Sequence, residues 1–263
     1  MTVRTLVLTG FGINCDYETE WAFRGAGSDA QRVHLNDLIG RPALLDGFHI
    51  LAIPGGFSFG DDIASGKILA NRLRYKFGEP LLKFIADGKL AIGICNGFQV
   101  AVKMGLLPLF NGALTQEVTL TNNDSGRFEN RWVNLRTDPG TRCVWLKGIT
   151  QITLPVRHGE GKFIPREEAV LEKLRAQGQV ALRYCRSDGS PVGEVFPANP
   201  NGSVDDIAGI CDPTGRIFGL MPHPEAHVVR TQHPRWFREA LRPEGDGLQI
   251  FRNAVEYVNW RLS

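Results

Sequence analysis

Residues 89–105 read KLAIGICNGFQVAVKMG, and the change of pattern at their centre decides the architecture. A β-rich apolar run ends at Cys95, and helical spacing begins at once. Gly93 and Gly97 stand two residues to either side of the cysteine, the spacing of a nucleophile elbow with sulfur in place of a serine hydroxyl. The glycines let a strained strand-to-helix turn form without side-chain clashes, and the following helix points its positive end at the sulfur, which favours thiolate. A buried structural cysteine at a strand end is the plainer alternative that this motif alone leaves open.

Two similar runs precede it, VRTLVLTG (3–10) and HILAIPGGF (49–57), each ending in a turn and leading towards a helix-compatible segment. That alternation reads as βαβ units on a parallel sheet. Helices are expected from Asp16 to Arg24, opening on a capping residue and closing on Gly25, and from Pro80 to Ala86 before Gly88. The middle third changes character. VTLTNND (118–124), RWVNLRT (131–137), CVWLKG (143–148) and QITLPVRHG (151–159) look extended and are separated by turn residues, which predicts a partly antiparallel extension. A helix from about Pro165 to Ala176 follows, then strands in VALRYC, IAGICD and RIFGLMPH, the last two joined by the turn Asp212-Pro213-Thr214-Gly215. GLQIFRNAVEYVNWRL closes the chain as an amphipathic helix, and Arg230 to Gly247 reads as an exposed loop with a short helix. The expected fold is α/β: an open, mostly parallel sheet flanked by helices, with the antiparallel extension, as one domain over residues 1–263.

With 263 residues, 43% of them hydrophobic and 22% charged, the chain can bury a large core. Its formal charge of +2 comes without any block of like charges, so nothing points to nucleic acid or a membrane surface. No apolar run approaches the roughly 18 residues of a spanning helix and no signal-peptide pattern opens the chain, so a soluble, cytoplasmic protein is expected. The five cysteines are odd in number and scattered, with no CxxC spacing, and most read as small buried hydrophobes.

A cysteine nucleophile needs a base, and the base needs a third group to orient it. GLMPHPEAH (219–227) supplies His223 and Glu225, two apart after an apolar strand, with Pro222 and Pro224 expected to hold the backbone extended so that both side chains lean the same way. Gly55 and Gly56 follow another strand end, where bare backbone N–H groups, with that of Asn96, can stabilise an oxyanion. His34, His49 and His233 have no such neighbours and read as structural. A metal site of His223, Glu225 and His227 is the rival arrangement; it gives Cys95 no role, and no metal is expected. Phe57, Phe59, Asp61 and Asp62 crowd behind the two glycines, as either a packed loop or a surface for a partner.

The PGG, GICNGFQ and PHPE elements together resemble a class I, triad-type glutamine amidotransferase. GINCDYETEWAFRGAG (12–27), IPGGFSFGDDIASGKILA (53–70), NDSGRFENRW (123–132), PVRHGEGKF (155–163) and MPHPEAH (221–227) narrow the resemblance to the PurQ-type glutaminase subunits of phosphoribosylformylglycinamidine synthase. The resemblance implies a flavodoxin-like sheet and hydrolysis of L-glutamine through a γ-glutamyl thioester on Cys95. His223 would act as base then acid, with Glu225 orienting it. It implies that Gln99 helps hold the substrate and that Arg157, His158 and Gly159 close over its α-amino and carboxylate groups. Ammonia would pass to a synthetase subunit that binds ATP and magnesium, with a small bridging subunit in the same complex and no cofactor in this chain. The longer connection from Arg230 to Gly247 departs from the smallest such subunits. A stand-alone γ-glutamyl hydrolase and a non-enzymatic module on the same fold are the alternatives; the phrases outside the triad speak against the first, and retention of all three triad residues against the second.

Overall fold

The computed structural model describes residues 2–239 and 243–262. Five strands form the parallel half of a nine-stranded sheet: β1 (Arg4–Thr9), β2 (Asp29–His34), β3 (Ile50–Ile53), β4 (Leu90–Ile94) and, from the far end of the chain, β11 (Ile217–Leu220). Their order is β2-β1-β3-β4-β11, with the helices α1 (Asp16–Gly25), α2 (Leu35–Gly40), α3 (Lys67–Ala86) and α4 (Asn96–Lys103) in the connections. Strands β3, β4 and β11 are buried along their whole length, as strands covered on both faces must be.

The antiparallel half continues from β11 through β10 (Ile207–Cys211), β9 (Val180–Cys185), β6 (Glu129–Thr137) and β7 (Gln151–His158). Beside it, β5 (Val118–Asn122) pairs with β8 (Glu160–Pro165) in a separate two-stranded ribbon, and α5 (Glu168–Ala176) and α6 (Leu248–Leu262) complete the elements. The parallel sheet and its antiparallel extension are as the sequence predicts. Among the described residues no helix is long and apolar enough to cross a membrane.

Several local expectations need correction. β2 carries little apolar signal, because DAQRVH lies at the sheet edge and only Ala30 is fully buried, and the sequence pattern does not mark it. α3 starts at Lys67 rather than Pro80: the core-facing row Leu69, Leu73, Phe77, Leu81 repeats every four residues and runs through the proline. CVWLKG is not a strand. Val144–Leu146 is a 3-10 turn whose Trp145 is fully buried and donates its indole N–H to the Arg216 carbonyl, so its apolar content is a plug for the core. β8 is an additional strand, and α5 begins at Glu168, three residues after the expected Pro165, because Gly161 to Pro165 is taken by pairing with β5. Asp16 is the first helical residue of α1, not its cap; its carboxylate accepts from Thr9 Oγ1 at 2.7 Å and Arg32 at 3.3 Å, while Cys15 holds the cap position. In the Arg230–Gly247 connection a 3-10 turn spans Arg230–Gln232; residues 240–242 lie outside the described set.

Candidate active site

The elbow forms where β4 stops. Cys95 has φ 51° and ψ −105°, a conformation that a non-glycine residue adopts only under constraint, and α4 starts at the next residue. The constraint is backbone packing. The Cys95 N–H donates to Leu220 O on β11 at 2.8 Å. A Cβ on Gly93 would come within 2.6 Å of Gly97 O, and one on Gly97 within 1.8 Å of Ile53 O on β3. The two glycines thus let β3, β4 and α4 approach closely enough to hold the cysteine in its strained state.

His223 arrives from β11, which runs parallel to β4 with Leu220 beside Ile94. Its N–H donates to Pro155 O at 2.8 Å, anchoring it to β7 in the other half of the sheet. The expected extended backbone across Pro222–Pro224 is not found, because Pro224–Ala226 turns into a 3-10 helix. That turn brings Glu225 back, and its Oε1 lies 2.6 Å from His223 Nδ1 in a buried pair. With Nδ1–H committed to the carboxylate, Nε2 is the atom left facing the thiol side of the ring. Burial lowers the His223 pKa, but the Glu225 carboxylate and the Cys95 sulfur outweigh it and hold the ring well above its ordinary value. An imidazolium beside a thiolate is the charge state this favours.

A cavity of about 150 Å³ opens onto these groups, lined by Asn14, Cys15, Gly56, Phe57, Cys95, Phe128, Arg157 and His223. A wider cavity of about 510 Å³ between Ile39 and Tyr75 has no cysteine, histidine or carboxylate in its lining and so offers no nucleophile. Gly55 lies against the ring: a Cβ there would be 2.9 Å from His223 Cε1. Its carbonyl accepts from the N–H groups of Asn14 and Cys15.

Residues 2–258 match the family described as the CobB/CobQ-like glutamine amidotransferase domain. The PurQ subunit of phosphoribosylformylglycinamidine synthase from Dehalococcoides mccartyi is 50% identical over 258 residues, covering 97% of this chain and 98% of that one. That from Methanococcus maripaludis is 42% identical over 267 residues, with 97% of each chain covered. The chain belongs to the PurQ family of glutamine amidotransferases. Among solved structures, PurLQS from Thermotoga maritima superposes with a TM-score of 0.72 at 30% identity, over 98% of this chain and 100% of that one. A GMP synthase chain from Thermoplasma acidophilum, at 17% identity and a TM-score of 0.57 over 100% of this chain and 99% of that one, shares the fold.

The structure sorts the remaining PurQ-like positions. Gly56 and Arg157 line the cavity, and the Cys95 thiol lies 3.6 Å from the Arg157 carbonyl. Asn96, Gln99 and His158 are buried and do not line it. Asn96 accepts from the Ser58 N–H and donates to Asp61 and to Gln99 Oε1, tying the elbow to the loop behind Gly56. Gln99 donates onward to Glu160 O, so both ends of its amide are used inside the protein. Burial raises the Asp61 pKa, against hydrogen bonds from Gly66 N–H, Ser65 and Asn96.

Gly159 O accepts from the Asn123 N–H, and the Asn123 side chain brackets the whole segment. Its Nδ2 donates to Arg127 O and His158 O; its Oδ1 faces Gly161 N–H at 3.0 Å and His158 Nδ1 at 3.1 Å. Because Gly161 must donate, that Asn123 atom is the oxygen, so His158 Nδ1 carries the proton. His158 is thereby neutral, its pKa pushed down to about 3 by burial and by the His223 charge.

Two residues escape a reading of the sequence. Asn123 opens the NDSGRFENRW stretch, where nothing local marks it for a role. Cys15, which reads as a small buried hydrophobe, faces the cavity beside His223, its pKa raised by burial against the influence of His223. A signal exists for it: Cys15 follows β1, at the same carboxyl edge of the parallel strands that carries Cys95. His227 does not join the triad. Its Nδ1 lies 2.8 Å from Thr153 O and its ring packs on Trp132 and His233, which removes the rival ligand set. His34, His49 and His233 each have Nδ1 facing a backbone N–H, as structural histidines do.

Proposed function

We propose that Cys95, His223 and Glu225 hydrolyse L-glutamine to glutamate and ammonia, and that this chain is the PurQ glutaminase subunit of a phosphoribosylformylglycinamidine synthase. The observation that carries the site is the buried series Glu225–His223 ending at the elbow cysteine, in a chain 50% identical to a PurQ subunit over nearly its full length. Cys95 thiolate attacks the γ-carboxamide carbon, and the oxyanion is taken up by backbone N–H groups of Gly55, Gly56 and Asn96. His223 gives its proton to the departing ammonia, leaving a γ-glutamyl thioester. It then takes a proton from water, which attacks the thioester and frees Cys95. Glu225 keeps Nδ1 protonated throughout. Arg157, His158 and Gly159 bound the substrate's α-amino and carboxylate end, with Gln99 bracing them through Glu160.

Ammonia passes to a synthetase subunit that binds ATP, magnesium and formylglycinamide ribonucleotide, with a small bridging subunit completing the complex, in the cytoplasm. This chain then holds no cofactor of its own. The assembled PurLQS of Thermotoga maritima supports the partnership. The exposed Phe57, the Phe59 ring stacked on Phe11 and the Asp61–Asn96 link form a continuous route from the surface to the elbow, suited to partner control of glutaminase rate.

In the reconstituted complex, Cys95→Ala and His223→Ala should each abolish glutamine-dependent amidine formation and leave ammonia-dependent formation intact. Glu225→Gln should retain some activity, about 10³-fold below the unaltered complex. Loss of the ammonia reaction in a well-folded variant would place the chemistry elsewhere.

A further inference from the structure

We propose that Cys15, Cys95 and His223 form a binding site for a soft divalent cation such as Zn²⁺, which occupies the nucleophile and silences it. Three side chains converge on one small space. The position a Gly55 Cβ would take is 3.4 Å from Cys15 Sγ, 3.5 Å from Cys95 Cβ and 2.9 Å from His223 Cε1. Cys15 Sγ, a ring nitrogen of His223 and a carboxylate oxygen of Glu225 all lie within 4.8 Å of one another.

The donor set suits such a cation. His223 Nε2 is buried and has no hydrogen-bond partner, although both thiols lie beside the ring. Its Nδ1 is paired with Glu225, the carboxylate–histidine arrangement that fixes the tautomer of a metal-ligating imidazole. Cys15 and Cys95 occupy the N-cap positions of α1 and α4, where the helix dipoles favour thiolates. Two sulfurs and one imidazole nitrogen select Zn²⁺ over harder ions and leave the fourth tetrahedral position to water. Ligand bonds of about 2.0–2.3 Å place donor atoms roughly 3.6 Å apart in a tetrahedron, so a modest rotation of the cysteine side chains closes the site. Each thiol that binds releases its proton to solvent, so affinity rises with pH.

The inhibitory consequence rests on Cys95 and His223 being the nucleophile and base; the binding itself does not. The complete chain is therefore tested for binding directly, with Zn²⁺ in competition with a chromophoric chelator and with Co²⁺ as a spectroscopic probe. One Zn²⁺ per chain is expected, with a thiolate-to-cobalt charge-transfer band. Cys15→Ser should weaken Zn²⁺ binding more than about 100-fold, beyond the roughly 10- to 100-fold lost with a group that only orients a ligand, and roughly halve the band. In the unaltered chain, which needs no variant to fold, stoichiometric Zn²⁺ should protect both Cys15 and Cys95 from alkylation. Unchanged affinity and band in a folded Cys15→Ser chain, or protection of Cys95 alone, would overturn the site. Binding as described without loss of glutaminase activity would instead count against the assigned triad.

Discussion

The two halves of the sheet hold their parts of the site by different means. In the parallel half, backbone touches backbone: Gly97 lies against Ile53 O, Gly93 against Gly97 O, and the Cys95 N–H is bonded to Leu220 O. In the antiparallel half the 157–161 segment is held by side chains, chiefly Asn123, with Asn201 and Ser203 bonding Gly161 O. Backbone packing leaves no slack, which suits a nucleophile kept at an unfavourable φ. Side-chain brackets can break one bond at a time, which suits a segment that must admit and release a small substrate.

The sharpest way to break this contrast is Gly97→Ala. The added methyl meets the Ile53 carbonyl, a backbone atom in a central strand that cannot step aside. A loss of more than about 3 kcal/mol, or no folded protein, is expected from urea denaturation. Near-normal stability would show that the elbow has slack after all.

Asn123→Ala should be milder and of a different kind. It removes four side-chain hydrogen bonds and leaves buried groups of the 158–161 turn unpaired. A stability loss of roughly 2–3 kcal/mol is expected, with KM for glutamine rising more than kcat falls and ammonia-dependent synthesis unaffected. A fall in kcat at unchanged KM would mean that the bracket serves the triad rather than the substrate segment.

The smallest effect should come from acid. His158 has a folded pKa of about 3 against an ordinary 6.5, so below pH 6.5 the unfolded chain takes up a proton that the native one refuses. Stability therefore falls as pH drops from 6.5 towards 3, by about 2 kcal/mol on reaching pH 5. His158→Asn, which preserves a donor for Asn123, should flatten that part of the stability curve. An identical slope in both proteins would assign the acid sensitivity to other groups.

Legibility in the sequence follows the same division. Cys95, His223 and Glu225 can be read because an elbow and a PHPE turn are local patterns with few other uses. Asn123 cannot, since its partners Arg127, His158 and Gly161 are bonded across the fold rather than along one periodic element. The buried length of α3 is obscured by Pro80, whose usual place at a helix start outweighs the apolar row ahead of it.

By itself, then, the sequence determined the parallel core, the antiparallel extension and the identity of the nucleophile, base and orienting carboxylate, because each is written in contiguous residues with a definite period or spacing. Only the tertiary structure decided that Cys15 stands beside His223, that Gln99 spends its amide on Asn96 and Glu160, and that His227 turns away to Thr153. Those outcomes depend on which strand ends meet at the carboxyl edge of the sheet and at what register, and strand pairing between distant segments is set by packing of the whole core rather than by any one stretch of chain.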